Sequence, residues 1–207
     1  MVTGDTEQLL QRVAQGDDAA RDRLLERYRR RLRRMVAVRF DRRLAARVDP
    51  SDVVQETLAE AAAQLDRYLQ ERPLPFYPWL RQMAQRRLIE LHRRHVLARR
   101  RTVIREEAVG GLPDRSAVAL AERLFGQLSS PSAHLHRQER RDRVRAALAA
   151  LAEKDREVLV LRILEGLPTR ETAAVLDISE VAVRSRQVRA LERLKALLSP
   201  DLLEGAQ

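Results

Sequence analysis

A basic cluster near the C-terminus offers side chains that can recognise DNA bases. It consists of Arg184, Ser185, Arg186, Val188 and Arg189. An arginine side chain can donate two hydrogen bonds to the edge of a guanine, and an α-helix fits the DNA major groove. Helical spacing puts most of this cluster on one outward face. The sequence therefore predicts a DNA-contacting surface; the alternative is an ordinary helix with solvated charges.

Two short helices joined by a tight turn must position this cluster. We expect Thr169 to cap the first helix, Asp177 to adopt a left-handed backbone at the turn, and Ser179 to cap the second helix. A small residue, Ala173, would let the helices cross closely. The second helix has an apolar face that would point inward, formed by Val183, Ala190 and Leu194. This pattern is typical of a helix-turn-helix.

An acidic strip is predicted on an earlier helix. Asp49 can cap this helix, Pro50 suits its first position, and the apolar pattern continues to about Tyr68. The polar side of the helix carries Asp52, Gln55, Glu56 and Glu60. In a basic protein, such a strip can dock a basic partner surface. Simple amphipathicity is the alternative interpretation.

A third set of residues combines aromatic and basic side chains on the following helix. It consists of Phe76, Tyr77, Trp79, Arg81, Gln82, Arg86, Glu90, Arg93 and Arg94. Aromatic rings beside arginines can hold unpaired bases. Core packing is the favoured alternative for Phe76 and Trp79, because rings at a helix start are usually buried anchors. The arginines at the end of this helix, and Arg99 to Arg101, suit a phosphate backbone.

Composition narrows the class of protein. The 207 residues carry a net charge of +10, which favours a polyanionic partner, and there is no cysteine for a disulfide or thiolate metal site. With only 7 Gly and 8 Pro, the chain is predicted to be all-α. We expect no membrane span, no signal peptide and a cytoplasmic location. Because no phosphate-binding glycine loop, metal cluster or nucleophile–base pair is found, no cofactor, metal or enzymatic activity is expected.

The predicted organisation is two small helical domains joined by a flexible linker. The N-terminal domain spans 1–104 and begins with helices over Thr6–Ala14 and Ala19–Phe40, the second of which carries an arginine-rich face. The linker spans 105–138, is rich in glycine, serine and proline, and includes one short helix around Val118–Leu128. The C-terminal domain spans 139–207 and carries the helix-turn-helix.

These motifs together resemble the extracytoplasmic function (ECF) type of RNA polymerase sigma factor, related to the primary sigma factors. Asp49–Glu56 is similar to the family's core-polymerase-binding helix. Phe76–Glu90 resembles the helix that melts and reads the promoter element nearer the start site. Leu148–Leu197 resembles the domain that reads the upstream element.

The resemblance implies binding to core RNA polymerase and promoter DNA, without ATP, and the family is often controlled by an anti-sigma factor. The strip from Asp52 to Glu60 would bind polymerase, the Phe76–Arg94 set would act at the downstream element, and the 184–189 cluster would read the upstream element. The sequence departs from the family pattern at Arg86, Glu90, Gln187 and Pro168.

Two other functions fit part of the sequence. One is a stand-alone helix-turn-helix regulator that binds an operator as a dimer without polymerase. The other is a DNA-processing enzyme such as a recombinase, which would need a catalytic serine or tyrosine among clustered arginines. The acidic strip argues against the first. The second is disfavoured because Tyr28, Tyr68 and Tyr77 are better explained by packing or stacking.

Overall fold

The computed structural model describes residues 2–41, 48–95, 112–125 and 134–198. Within these ranges every regular element is helical, which confirms the all-α prediction. The chain divides into two compact units, residues 1–111 and 112–207. No helix in the described ranges combines the length and apolar character that crossing a bilayer requires.

In the described part of the first unit there are five helices, and a capping aspartate marks the start of two of them. They are α1 (Val2–Ala14), α2 (Asp18–Arg39), α3 (Pro50–Ala63), α4 (Leu65–Glu71) and α5 (Phe76–His95). The turn between α1 and α2 places Gly16 at φ +82, a conformation that glycine adopts without steric cost. The carboxylate of Asp17 then accepts a hydrogen bond of 2.9 Å from the Ala20 backbone N–H. Asp49 caps α3 in the same way, as predicted, through the Ser51 N–H at 2.7 Å.

The prediction of one helix from Pro50 to about Tyr68 is wrong at one point. The chain breaks at Gln64, where φ is −103 and ψ is 7, and α4 begins at the next residue. Leu65 and Tyr68 remain buried on either side of this change of direction. The sequence around the break contains no glycine or proline, so no local signal predicts it. Its position is set by the burial of Leu65 and Tyr68.

An aromatic cluster forms part of the core of the first unit. The rings of Tyr68 and Trp79 lie 4.6 Å apart between centroids, and Phe76 lies 5.2 Å from Tyr28 and 5.3 Å from Tyr68. Tyr77 stacks on Tyr28 with the ring centroids 5.7 Å apart. Such pairs stabilise a fold beyond the burial of their area. They fix the start of α5 against α2 and α4.

The second unit begins inside the predicted linker. Its first helix, α6 (Asp114–Phe125), packs on α7 (His134–Ala150) and buries Ala117 and Leu120. The Arg123 guanidinium donates a hydrogen bond of 2.7 Å to the Ile163 carbonyl. The short helix expected around Val118–Leu128 therefore starts four residues earlier and belongs to a folded unit, because its apolar face is covered.

The rest of the second unit leads into the helix-turn-helix. Helix α8 (Glu153–Leu159) continues as a π segment (Val160–Leu164), and α9 (Thr169–Leu176) and α10 (Glu180–Leu198) follow. Asp177 adopts the left-handed conformation (φ 51, ψ 51) and the Ser179 hydroxyl accepts from the Ala182 N–H at 3.1 Å, as predicted. The expected cap at Thr169 is wrong: Pro168 occupies the N-cap position, and it provides no side-chain hydrogen bond.

A small apolar core holds α9 and α10 together. Val158, Ala173 and Val183 are buried in contact with one another, with Leu176 and Ile178 packed at their edge. The Ile178 N–H donates to the Ala173 carbonyl at 3.1 Å, closing the turn. Ala173 lies at the helix crossing, where the sequence placed a small residue.

Candidate functional site

The outward face of α10 gathers most of the predicted DNA-contacting cluster. Arg184, Ser185, Val188 and Arg189 are exposed, while Val183, Ala190 and Leu194 are completely buried on the other side. Arg186 lies half-buried beside this face. The Arg184 guanidinium lies 3.8 Å from the Glu180 carboxylate, one helical turn earlier. Because both side chains are exposed, this ion pair restrains Arg184 only weakly.

A residue that sequence reasoning missed adds a polar link between α10 and the preceding elements. Arg162, in the π segment, donates to the Gln187 side-chain oxygen at 3.2 Å and to the Leu167 carbonyl just before α9. One guanidinium thus joins the π segment, the loop before α9 and α10. The only sequence signal was Gln187, a polar residue where the family pattern has an apolar one. π segments often occur at functional sites.

The acidic strip on α3 is present on the surface of the first unit. Asp52, Gln55 and Glu56 are exposed, and Val53, Val54, Thr57 and Leu58 are buried on the opposite face. Glu60 is half-buried, and its carboxylate accepts a hydrogen bond of 3.0 Å from the Gln64 side chain. Glu60 is therefore turned toward the start of α4, and the accessible part of the strip is its N-terminal part.

Glu56 already has a partner within the fold. The Arg87 guanidinium of α5 donates from Nε at 2.6 Å and also from Nη2 to the same carboxylate oxygen. This ion pair links α3 to α5 across the surface. Arg87 was not singled out from the sequence, because a contact between residues so far apart in the chain leaves no local pattern.

The predicted aromatic and basic set on α5 separates into two faces. Phe76, Tyr77, Trp79 and Arg81 are buried. The exposed members succeed one another at helical spacing and form a continuous stripe, which consists of Gln82, Arg86, Glu90, Arg93 and Arg94. The buried rings favour the packing alternative for Phe76 and Trp79, and the exposed stripe is the part of α5 that a nucleic acid can reach. Arg99 to Arg101 lie outside the described residues.

The buried side of α5 packs against α2 through Tyr77. The Arg31 guanidinium lies 3.7 Å above the Tyr77 ring, and the Tyr77 hydroxyl donates to the Arg31 carbonyl at 3.3 Å. Cation–π contacts of this kind stabilise the packing of α2 on α5. On the outer side of α2, Arg30, Arg33 and Arg34 are exposed and form a basic face. The arginine-rich helix therefore serves both packing and surface charge.

The three tyrosines are all part of the packed interior. Tyr28 shares a hydrogen bond of 2.8 Å with Thr6, and the Tyr68 hydroxyl donates to the Leu74 carbonyl at 3.1 Å. Burial raises the pKa of Tyr68 to about 12, which makes its phenol a poor source of a nucleophilic phenolate. These positions support the packing interpretation of the tyrosines over a recombinase-type nucleophile.

Comparison with known proteins identifies both units. The sequence matches the family profile Sigma-70 region 2 over residues 24–97 and the profile Sigma-70, region 4 over residues 141–194. The chain is similar to the ECF RNA polymerase sigma-E factor of Escherichia coli K12 and of Salmonella typhimurium LT2, with 30% identity over 93% of each chain. It is also 33% identical to the ECF RNA polymerase sigma factor SigD of Mycobacterium tuberculosis, over 78% of this chain and 71% of that one.

A solved structure has a related fold. It is described as CnrH in complex with the cytosolic domain of CnrY, and the match covers 98% of this chain and 99% of that chain. The TM-score is 0.51 and the sequence identity is 24%. This likeness supports the helical fold.

Proposed function

Because the chain belongs to the ECF family of RNA polymerase sigma factors, which bind core RNA polymerase and direct promoter-specific transcription initiation, we propose that its exposed faces divide that task. In this proposal α10 reads the upstream promoter element, the α5 stripe acts at the downstream element, and the α3 strip binds polymerase. The observation that carries the proposal is the separation of exposed recognition residues from buried packing residues on each of these helices.

The upstream element is read by the exposed residues of α10. Arg184 and Arg189 supply donors for guanine edges or phosphates, and Ser185 and Val188 lie on the same face. Arg186, being half-buried, contributes at the edge of this surface. The buried Val183 and Ala190 hold the helix so that these side chains enter the groove together.

The downstream element is contacted by the α5 stripe. Gln82 and Glu90 can bond to base edges, while Arg86, Arg93 and Arg94 can contact phosphates. The aromatic cluster at the start of α5 anchors the helix that carries the stripe. Strand opening is then driven by preferential binding of the separated strand, and the protein itself performs no chemical step.

Polymerase is bound by the exposed part of the α3 strip. Asp52 and Gln55 are accessible, and Glu56 becomes fully available when its ion pair with Arg87 opens. An exposed pair of this kind is worth about 0.2–1 kcal/mol, so a basic partner surface can displace it at little cost. The proposed place of action is the cytoplasm, where bacterial core polymerase works.

An inhibitory protein is a further proposed partner. The CnrH structure is described as a complex with the cytosolic domain of CnrY. By this likeness, a partner domain would hold the present chain away from polymerase. Co-purification of a second protein with the chain from unstressed cells, lost when transcription is induced, is the expected sign.

The proposal is tested by promoter binding with and without core polymerase. We expect the chain alone to bind promoter DNA weakly and the polymerase complex to bind it specifically. Arg184→Ala or Arg189→Ala should then weaken upstream recognition by about tenfold, since a good base contact is worth about 1–3 kcal/mol, and should leave polymerase binding unchanged. Gel shift and co-purification measure the two properties separately.

Two outcomes would contradict this division. Tight, specific binding by the chain alone would favour the stand-alone regulator. Loss of polymerase binding in either arginine variant would show that α10 has a different role. Exposed Arg193, later on the same helix, provides a matched control through Arg193→Ala.

A further inference from the structure

Two valines on α10 are exposed although the helix has a well-formed apolar face elsewhere. The exposed fraction is 67% for Val181 and 54% for Val188, whereas Val183 between them is completely buried. A single exposed valine needs no explanation. Val181 and Val188 are therefore two apolar side chains that folding leaves uncovered on one stripe of this helix.

The spacing places both valines on the DNA-facing side. They are seven residues apart, which is close to two helical turns, and Arg184 and Ser185 lie between them on the same face. Val181 is the second residue of α10, and the N-terminal residues of a recognition helix are those that contact base edges. Seven residues span about 10 Å of helix, or roughly three base-pair steps of 3.4 Å.

The thymine 5-methyl group is the apolar feature that a base edge presents in the major groove. A valine side chain is held in one main rotamer within a helix, so its methyl groups are already ordered before binding. Arg184 and Ser185 can satisfy the polar groups of the neighbouring bases. The stripe therefore offers polar contacts in its middle and apolar contacts toward its ends.

We propose that Val181 and Val188 determine specificity by packing against thymine 5-methyl groups in the upstream promoter element. This inference rests on the proposed function of α10 and goes beyond it in assigning a chemical group of the DNA to Val181 and to Val188. Burial of one methyl group against a valine corresponds to about fourfold in affinity. Replacement of thymine by deoxyuridine removes only that methyl group and keeps every hydrogen-bonding atom.

The test uses the full chain with core polymerase on a promoter obtained by transcription from a randomised library. Each thymine of the upstream element is replaced in turn by deoxyuridine, and the dissociation constant is measured. For the native chain we expect about fourfold weaker binding at one position and a similar loss about three base pairs away. Val181→Ala should abolish the sensitivity at one of these positions, and Val188→Ala at the other.

The matched control is Leu197→Ala, which removes another exposed apolar side chain of the same helix and should leave both sensitivities intact. The proposal is overturned if deoxyuridine has no effect on the native chain, if Val181→Ala keeps the full sensitivity, or if Val181→Ala weakens polymerase binding. Arg184→Ala distinguishes failure of the methyl-contact proposal from failure of the proposed function of α10. If Arg184→Ala weakens upstream recognition while deoxyuridine does not, α10 reads DNA without methyl contacts; if neither has an effect, the proposed function of α10 fails as well.

Discussion

At the scale of single residues, Asp17 and Asp49, which cap α2 and α3, make the stability of the fold depend on pH. Hydrogen bonds from the Ala20 N–H and then from Arg12 lower the pKa of Asp17. The side chain and the backbone N–H of Ser51 lower the pKa of Asp49. In both cases the folded state favours the ionised carboxylate, which also suits the positive end of the helix dipole.

The sign of the pH effect follows from these shifts. A pKa that is lower in the folded state means that the unfolded chain binds more protons near pH 4, so stability falls as the solution becomes more acidic. We expect the contribution of Asp17 to be complete above its ordinary pKa of 3.8 and to be lost as pH falls below that value. Asp17→Asn keeps a capping oxygen but does not titrate, so urea unfolding from about pH 6 to about pH 3 should show a shallower decline for this variant.

The control is Asp22→Asn, on the exposed side of α2, which should follow the native pH profile. If Asp17→Asn and the native chain decline in parallel, the ionised cap of α2 does not contribute to acid sensitivity.

Local signals explain which residues could be predicted from the sequence. Asp49, Asp177 and Ser179 act on backbone groups a few residues away or through their own φ, so their types suffice to predict a cap or turn. Tyr77 and Arg81 are different, because burial by α2 and other elements decides their role. The sequence could place them on α5 but could not choose between packing and contact with bases.

At the scale of elements, the exposed face of α3 is the proposed polymerase-binding surface, and Glu56 on this face is already paired with Arg87 of α5. Gln55→Ala combined with Glu56→Ala should weaken binding to core polymerase and leave recognition of the upstream element unchanged. The physical reason is the loss of exposed acceptors for a basic partner. Co-purification with core polymerase at low and moderate salt measures the effect, which should be about tenfold at low salt.

Arg87→Met is the matched control for this double variant. It removes the ion pair between α3 and α5 but leaves the carboxylate of Glu56 in place. We expect polymerase binding to be preserved. If Arg87→Met reproduces the defect, the double variant acts by loosening the packing of α3 on α5, and the α3 strip is not the docking face.

The link between the π segment and α10 predicts an energetic coupling. Arg162→Met leaves the Gln187 oxygen and the Leu167 carbonyl without this donor, which should cost about 1–3 kcal/mol in the free energy of unfolding. Gln187→Met should cost less, because Arg162 keeps its bond to Leu167. In a double-mutant cycle measured by urea unfolding, the coupling should be about 0.5–1.5 kcal/mol. Strictly additive effects would mean that the two side chains do not stabilise each other.

Elements formed by tertiary contacts are the ones that the sequence did not predict. The break at Gln64 and the π segment at Val160–Leu164 lack glycine or proline. Helix α6 was expected only as a short element within a linker, because the serine, glycine and proline residues around it suggest irregular chain. It packs on α7 and, through the hydrogen bond from its own Arg123 to the Ile163 carbonyl, on the π segment, which is distant in sequence.

At the scale of the whole molecule, the two units are connected by the chain around Gly111. In the proposed function neither unit needs to bind DNA tightly by itself. When the first unit is bound to polymerase, the connection keeps the second unit at a high effective concentration near its own promoter element. The cost of closing a flexible connection rises only slowly with its length, by about 0.6 kcal/mol for each doubling.

This slow dependence predicts the effect of a longer connection. Insertion of a glycine–serine segment after Gly111, long enough to double the 16 residues between the described ends at His95 and Leu112, should reduce promoter use only about threefold. Run-off transcription with core polymerase measures promoter use, and the same segment added after Gln207 controls for the inserted sequence itself.

Polymerase binding and the response to Arg184→Ala should be unchanged in both insertion variants. If the insertion after Gly111 abolishes transcription while polymerase binding persists, the connecting chain must itself make contacts that initiation requires, and tethering alone does not explain how the two units cooperate.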